Sequence, residues 1–323
     1  MQKIIVHAFV LTLLFTISLY SGNLETVQTY IENRLHPEQV TEIKHCGFAD
    51  HSLFQQYYSQ LDAQTQSLAK VLLDKPSRDY SFVSPEGHFT FHYNLDGYHA
   101  ISFTDVSGNG VPDWIDSAAV YFEYAWAIEI DSLGFNPPPD SLGNPVTNYD
   151  IYFTNFSYYG LTTFSNDDIS GLPGNNYTSY IEVDNNFSSG FYTKGLDALK
   201  VTAAHEFNHA IQLGYHFRND LSDVFYMEML STWLEDYVYE DVNDYFQYLN
   251  RLFANIDDKP FNTYDGWNEY GNSLYLHMLE KQHGPEAPLH IWENIRNASA
   301  LNCIDIYLKS KNSSLRKSHI DYA

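Results

Sequence analysis

Two histidines four residues apart, His205 and His209, stand either side of Glu206 in the stretch VTAAHEFNHAIQLGYH. On a helix, positions i and i+4 lie one turn apart on one face, so both imidazoles can converge on one ion. Glu206 projects one residue further round, where it can reach a water bound to that ion and act as its base. Ala203, Ala204, Ala210 and Ile211 predict that the surrounding helix face is buried, and His and Glu rarely sit in such a place without partners. A hydrolytic zinc centre needs a third protein ligand. Glu228 supplies one, after eighteen intervening residues, on a second apolar helix marked by Met229, Trp233 and Val238. The competing reading puts Glu228 on an exposed acidic face with Glu235 and Asp236.

The elements that must position these residues can be read coarsely. Strand chemistry is present in HFTFHYNLDGYHAISF, with Phe89, Phe91 and Tyr93 alternating and a hairpin expected at Asp96-Gly97. The stretches NYDIYFTNF and SYIEVDNNF read as further strands, and SAAVYFEYAWAIEIDSLGF as a helix ending near Gly134. Helices are expected at about 197–216, 223–240 and 270–282. Strands first and helices later predict the α+β class.

Upstream, Leu53, Tyr57, Leu61, Leu68 and Leu72 fall at near-helical spacing, and KPSRDYSFVSP reads as a linker. Residues 23–84 are therefore expected to form a separate helical segment, with the main domain at 85–323. Lys3 and the apolar run Ile4–Leu19 predict a signal peptide over residues 1–22. No other stretch is apolar enough to span a membrane. Localisation is then expected to be secreted or at the cell surface.

Of the 323 residues, 44% are hydrophobic, ample for a packed core, and the formal net charge of −24 leaves no cationic face for a nucleic acid. Two cysteines, Cys46 and Cys303, are compatible with a disulfide after export or with no role.

A second metal pattern lies in DVSGNGVPDWID. With Asp105 at loop position 1, Ser107, Asn109, Val111, Asp113 and Asp116 fall at positions 3, 5, 7, 9 and 12, and Gly110 falls at the sharp turn at 6. That is the oxygen-donor spacing of an EF-hand calcium loop. A strand precedes it where an EF-hand has a helix, and Asp replaces the closing Glu, so it is similar to a dockerin-type loop. A calcium-free Asx-turn that caps the next helix is the alternative.

The string HEFNH, eighteen residues, then EMLSTWLE resembles the H-E-x-x-H-x18-E arrangement of gluzincin metallopeptidases of the aminopeptidase N type. Glu228, Ser231, Thr232, Trp233 and Glu235 match that group's E-G-x-A-S-Y-x-E string, with Met229 in place of Gly. EYGNSLYLHML resembles its Y-E-K-G-x string and places Tyr270 as an oxyanion donor, with Asn272 and Ser273 departing from the pattern. The stretch 85–320 also resembles secreted bacterial metallopeptidases that join the same motifs in this order. The resemblance implies a zincin-like fold: an N-terminal mixed-sheet lobe carrying the active-site helix, then a mainly helical lobe.

It also implies Zn²⁺ on His205, His209 and Glu228, structural Ca²⁺ in the loop, and a protein or peptide substrate. No string for recognising a free amino terminus is present, which favours an endopeptidase. SYIEVDNNF stands where the substrate-pairing edge strand is expected, with Asn185 and Asn186 as possible helpers. Residues 23–84 are a possible propeptide, with Cys46 as a thiolate donor in one version. The alternatives are a calcium-stabilised surface binding protein with a dead zinc site, and a zinc hydrolase of a non-peptide bond.

Overall fold

The computed structural model describes residues 22–40, 42–165, 169, 172, 175–188, 190–218 and 221–322; the signal-peptide expectation lies outside these, apart from residue 22. The architecture is α+β. A six-stranded mixed sheet occupies the N-terminal half and helices fill most of the remainder.

The strands are β1 Lys44–Cys46, β2 Tyr80–Val83, β3 Phe89–Tyr93, β4 Tyr149–Thr154, β5 Tyr158–Phe164 and β6 Ser179–Asp184. Their spatial order is β1-β5-β6-β4-β3-β2. β3, β4 and β6 run parallel to one another, β5 is antiparallel to β6, and β1 is parallel to β5.

Helix α1 covers 22–35, α2 is Phe48–Tyr57 and α3 is Ala63–Ala69. α3 starts at Asp62, whose carboxylate accepts from the backbone N–H of Gln64 and Thr65, a standard N-cap. α4, Asp113–Trp126, runs on through a π-helical turn, Ala127–Ser132, and stops at Gly134. α5 is Gly195–Tyr215 and α6 is Val224–Val238; α7 is Phe246–Asn255, α8 Asn268–Gly271 and α9 Ser273–His283. α10 Ala287–Trp292, α11 Ala300–Ser310 and α12 Leu315–Tyr322 complete the helical half.

The main core lies between the sheet and helices α4 and α5. Phe89, Ile151, Ile181 and Val183 meet Phe122, Trp126, Ala203 and Phe207 there. Each large apolar side chain buried this way contributes roughly 1.5–3 kcal/mol. α5 is buried almost all round, its polar side chains included, because it is enclosed between the sheet and α6. This burial fixes the rotation of α5, and hence the direction in which His205, Glu206 and His209 point. Among the described residues no helix is long and apolar enough to cross a membrane.

Three expectations change. The segment upstream of residue 84 is not purely helical: it donates β1 to one edge of the sheet and β2 to the other. YSFV is a strand paired with β3 rather than linker, and the hairpin turns at Ser84–Gly87, not at Asp96-Gly97. Gly87, at φ +86°, accepts the left-handed conformation that turn requires. Finally, SYIEVDNNF contains β6, which is interior to the sheet, while β5 lies between it and β1.

Candidate metal centre

α5 and α6 bring three donor atoms together. His205 Nε2 lies 3.1 Å from His209 Nε2 and 3.1 Å from Glu228 Oε2, and His209 Nε2 lies 3.4 Å from the same oxygen. Four ligands at about 2.0–2.1 Å in a tetrahedron stand roughly 3.3–3.4 Å from each other. The observed triangle is therefore one face of a zinc-sized tetrahedron. Glu228 and Glu235 are both buried, which removes the reading of an exposed acidic face.

Each imidazole is oriented through its other nitrogen. His205 Nδ1 is 2.6 Å from Glu235 Oε1, and His209 Nδ1 is 2.8 Å from Gln212 Oε1. Both partners are acceptors, so both Nδ1 atoms donate and both Nε2 atoms face the centre. Gln212 is itself fixed by donating to Asn208 Oδ1 and to the Met227 carbonyl. Glu235 follows Glu228 by two helical turns. That spacing signalled a shared face, but its role as the orienting acceptor of His205 is visible only in three dimensions.

The electrostatics fit a cation. Burial alone would depress His205, but its hydrogen bonds to Glu228 and Glu235 outweigh this and push its pKa up to about 10. Glu228 shows the mirror effect: burial raises it, yet the two imidazoles hold it far below the usual carboxylate range. Without a metal, the cluster thus keeps a proton where a dication would sit. Among the described residues, Glu228 Oε1 and Glu206 Oε1 are buried without a hydrogen-bond partner, a costly arrangement for two carboxylates unless a cation or its water completes it.

Glu206 points at the same centre from beneath β5. The Thr162 hydroxyl lies 2.7 Å from Glu206 Oε2 and 2.9 Å from its backbone carbonyl, donating between them. Only a glycine at position 160 leaves room for it: a Cβ there would fall 2.3 Å from Glu206 Cγ. The fourth side chain at the centre is Cys46. Its sulfur and the donor atoms of His205, His209 and Glu228 all lie within 4.8 Å of one another. Burial, and then the Glu206 and Glu228 carboxylates, push its thiol well above the ordinary value.

The other cysteine, Cys303, sits on α11 and is also free, so of the two options left open the structure shows unbridged thiols. A second group, His45, His205 and Glu235, adjoins the first, with His45 Nε2 2.7 Å from Glu235 Oε1.

A cavity of about 470 Å³ opens beside Cys46, walled by Tyr159, Tyr192, Tyr248, Tyr264, Trp267 and Tyr270. Tyr270 is in α8, its ring centroid 6.3 Å from that of His205 and 5.0 Å from that of His45. Tyr264, which sequence reasoning passed over, lines the same cavity from a partly exposed position. Asn185 and Asn186 are engaged elsewhere: Asn185 donates to the Ala100 carbonyl and Asn186 to Asn185.

The loop 105–116 adopts the turn expected from its glycines, with Gly108 at φ +73° and Gly110 at φ +84°. Asp105 accepts from the backbone N–H of Gly108, Asn109 and Gly110 and from the Ser107 hydroxyl. Asp113 accepts from the Val106 N–H, and Asn109 donates its side-chain amide to Asp116. Val111 donates its N–H to Asn109 Oδ1. The loop is therefore closed by its own hydrogen bonds. Holding a cation would require the Asn109 amide to turn its oxygen inward.

Comparison with protein-family models, with curated proteins and with solved structures returned no match to this chain. What can be stated of the centre is that a buried His, Glu and Cys group of this geometry has the size and donor set for a metal ion.

Proposed function

We propose that this protein is a zinc-dependent endopeptidase, secreted or held at the cell surface, with His205, His209 and Glu228 as zinc ligands and Glu206 as general base. The single observation that carries this reading is the triangle of donor atoms, 3.1, 3.1 and 3.4 Å on a side, with a buried, half-unpaired Glu206 beside it. The resemblance to gluzincins rests on the same residues. A zinc ion there would polarise a carbonyl and lower the pKa of a water towards about 7.

The chain's own groups divide the remaining work. Glu206 takes a proton from the attacking water and passes it to the leaving amine. Thr162 holds one Glu206 oxygen and so aims the other at the centre. Tyr270, from the cavity wall, is the phenolic donor to the developing oxyanion. Glu235 and Gln212 hold the two imidazoles in the tautomer that leaves Nε2 free. The loop carrying Asp105, Ser107, Asn109, Val111, Asp113 and Asp116 is proposed as a structural calcium site that braces the start of α4.

The test is a metal count joined to a hydrolysis assay. One equivalent of zinc should bind to the parent and be lost in Glu228→Ala. Chelation should abolish peptide hydrolysis and zinc should restore it. Glu206→Gln should keep the metal and lose turnover. A parent that binds no zinc under any loading condition would refute the reading.

A further inference from the structure

The N-terminal segment does more than flank the sheet. β1 lies along β5, with the Lys44 N–H donating to the Ser157 carbonyl and the Gly47 N–H to the Gly160 carbonyl. These are the backbone groups by which a sheet edge captures an extended peptide. From that short strand and the first residue of α2, three side chains enter the centre. The His45 ring stands 4.7 Å from the His205 ring and binds Glu235. Phe48 stacks on His209 at 4.7 Å and 11°. Between them, Cys46 Sγ reaches the three metal-ligand atoms and accepts the Phe48 N–H at 3.3 Å, the kind of bond that stabilises a thiolate.

The two unpaired carboxylate oxygens, Glu206 Oε1 and Glu228 Oε1, belong to the residues that face this sulfur. α1, α2 and α3 form their own small core, including Val27, Tyr30, Ile31 and Phe54, seated on Tyr158 and Leu161 of β5 and on Phe156 just before it. Residues 74–79 then cross to β2 without helix or strand, with Asp74 and Lys75 exposed.

We propose that residues 22–78 are an inhibitory segment whose Cys46 thiolate is the fourth metal ligand and whose β1 occupies the substrate's place along β5. This rests on the zinc reading above and adds its regulation. Cys46 closes the position that a catalytic zinc centre keeps for water, and β1 excludes an extended substrate. Activation is hydrolysis of one peptide bond in the 74–79 link: water adds across the C–N bond, a carboxylate and an amine are left, and the freed segment can leave.

The test uses the full chain loaded with Co²⁺. The parent should bind one equivalent and show a thiolate-to-cobalt charge-transfer band. Cys46→Ala should bind one equivalent without that band, and its spectrum alone should respond to added hydroxamate. Identical spectra in the two proteins would overturn the thiolate assignment while leaving the metal site standing. Failure of both to bind cobalt would overturn both readings together.

For the segment's role, a protease recognition sequence is inserted between Asp74 and Lys75, an exposed loop that should tolerate it. Cutting should raise peptide hydrolysis at least about tenfold, equivalent to ~1.4 kcal/mol of lost blockade. A cut protein whose Cys46 peptide has dissociated on a sizing column, yet which is no more active than the uncut one, would make the centre structural and refute the proposal. So would an uncut parent already as active as the cut form.

Discussion

Gly160→Ala probes the general base without touching it. The added Cβ would stand 2.3 Å from Glu206 Cγ, 2.6 Å from Oε1 and 2.7 Å from Cδ. Carbon atoms pack at about 3.5–4.0 Å, so the side chain must retreat by about 1 Å or more. Little else can give way. β5 stays paired along β6, and α5 is buried on the sheet. The closest atom is Cγ, near the root of the Glu206 side chain rather than at its flexible end.

Overpacking of this kind costs about 1–3 kcal/mol of stability. At about 2–4 °C per kcal/mol for a protein of this size, the melting temperature should fall by about 2–12 °C. A base displaced by about 1 Å should lose on the order of a hundredfold in kcat/KM, about 2.7 kcal/mol of transition-state stabilisation. Zinc content should remain at one equivalent, because no ligand atom moves. The assay is steady-state hydrolysis of a quenched peptide by the protein cut in the 74–79 link, with calorimetry and metal analysis alongside. A Gly160→Ala protein within twofold of the parent in kcat/KM would refute the placement of Glu206 as base.

Other outcomes follow from the same geometry. Glu235→Gln should weaken zinc binding by about 10–100-fold, measured by competition with a chromophoric chelator, because His205 loses its charged orienting acceptor. Zinc removal should lower the melting temperature, since a ligand that binds only the folded chain stabilises it by about 2.7 kcal/mol at a hundred times its Kd. Added calcium should raise the melting temperature of the parent but not of Asp105→Asn.

His51 gives the pH dependence. Burial first, and Arg34 second, lower its pKa from 6.5 to about 3. The unfolded chain takes up this proton near pH 6.5 and the folded chain only near 3. Its contribution is therefore intact above pH 6.5 and falls by about 1.4 kcal/mol per pH unit as the solution is acidified towards pH 3. His51 holds Tyr30 of α1 and Gln55 of α2, so chemical denaturation of His51→Gln between pH 6.5 and 4 should show a shallower slope than the parent.

What could be read in advance depended on how local the signal was. His205, Glu206 and His209 are set by helical geometry within five residues, and Glu228 by a second helix whose apolar pattern is plain. β5 escaped notice because it is buried along its entire length; a strand covered on both faces does not alternate, and YYGLTTF has no period to detect. Cys46 could be named only as the thiolate donor in one version of a propeptide. Its place at the centre depends on a parallel pairing with β5 across more than a hundred residues, and a pairing of that range leaves no trace in the spacing of HCGF.

Gly160 lies between these cases. A glycine inside a strand signals a bulge or a close approach, so the sequence carries the demand for space at that point without naming what fills it. The structure names Glu206 on one side, through the missing Cβ, and the Gly47 N–H on the other, through the carbonyl. One strand position therefore serves both the base and the segment that covers it. For that reason the Gly160→Ala experiment must be run on the cut protein: in the intact chain, a shift of β5 would disturb β1 as well, and a change in rate could not be assigned to Glu206 alone.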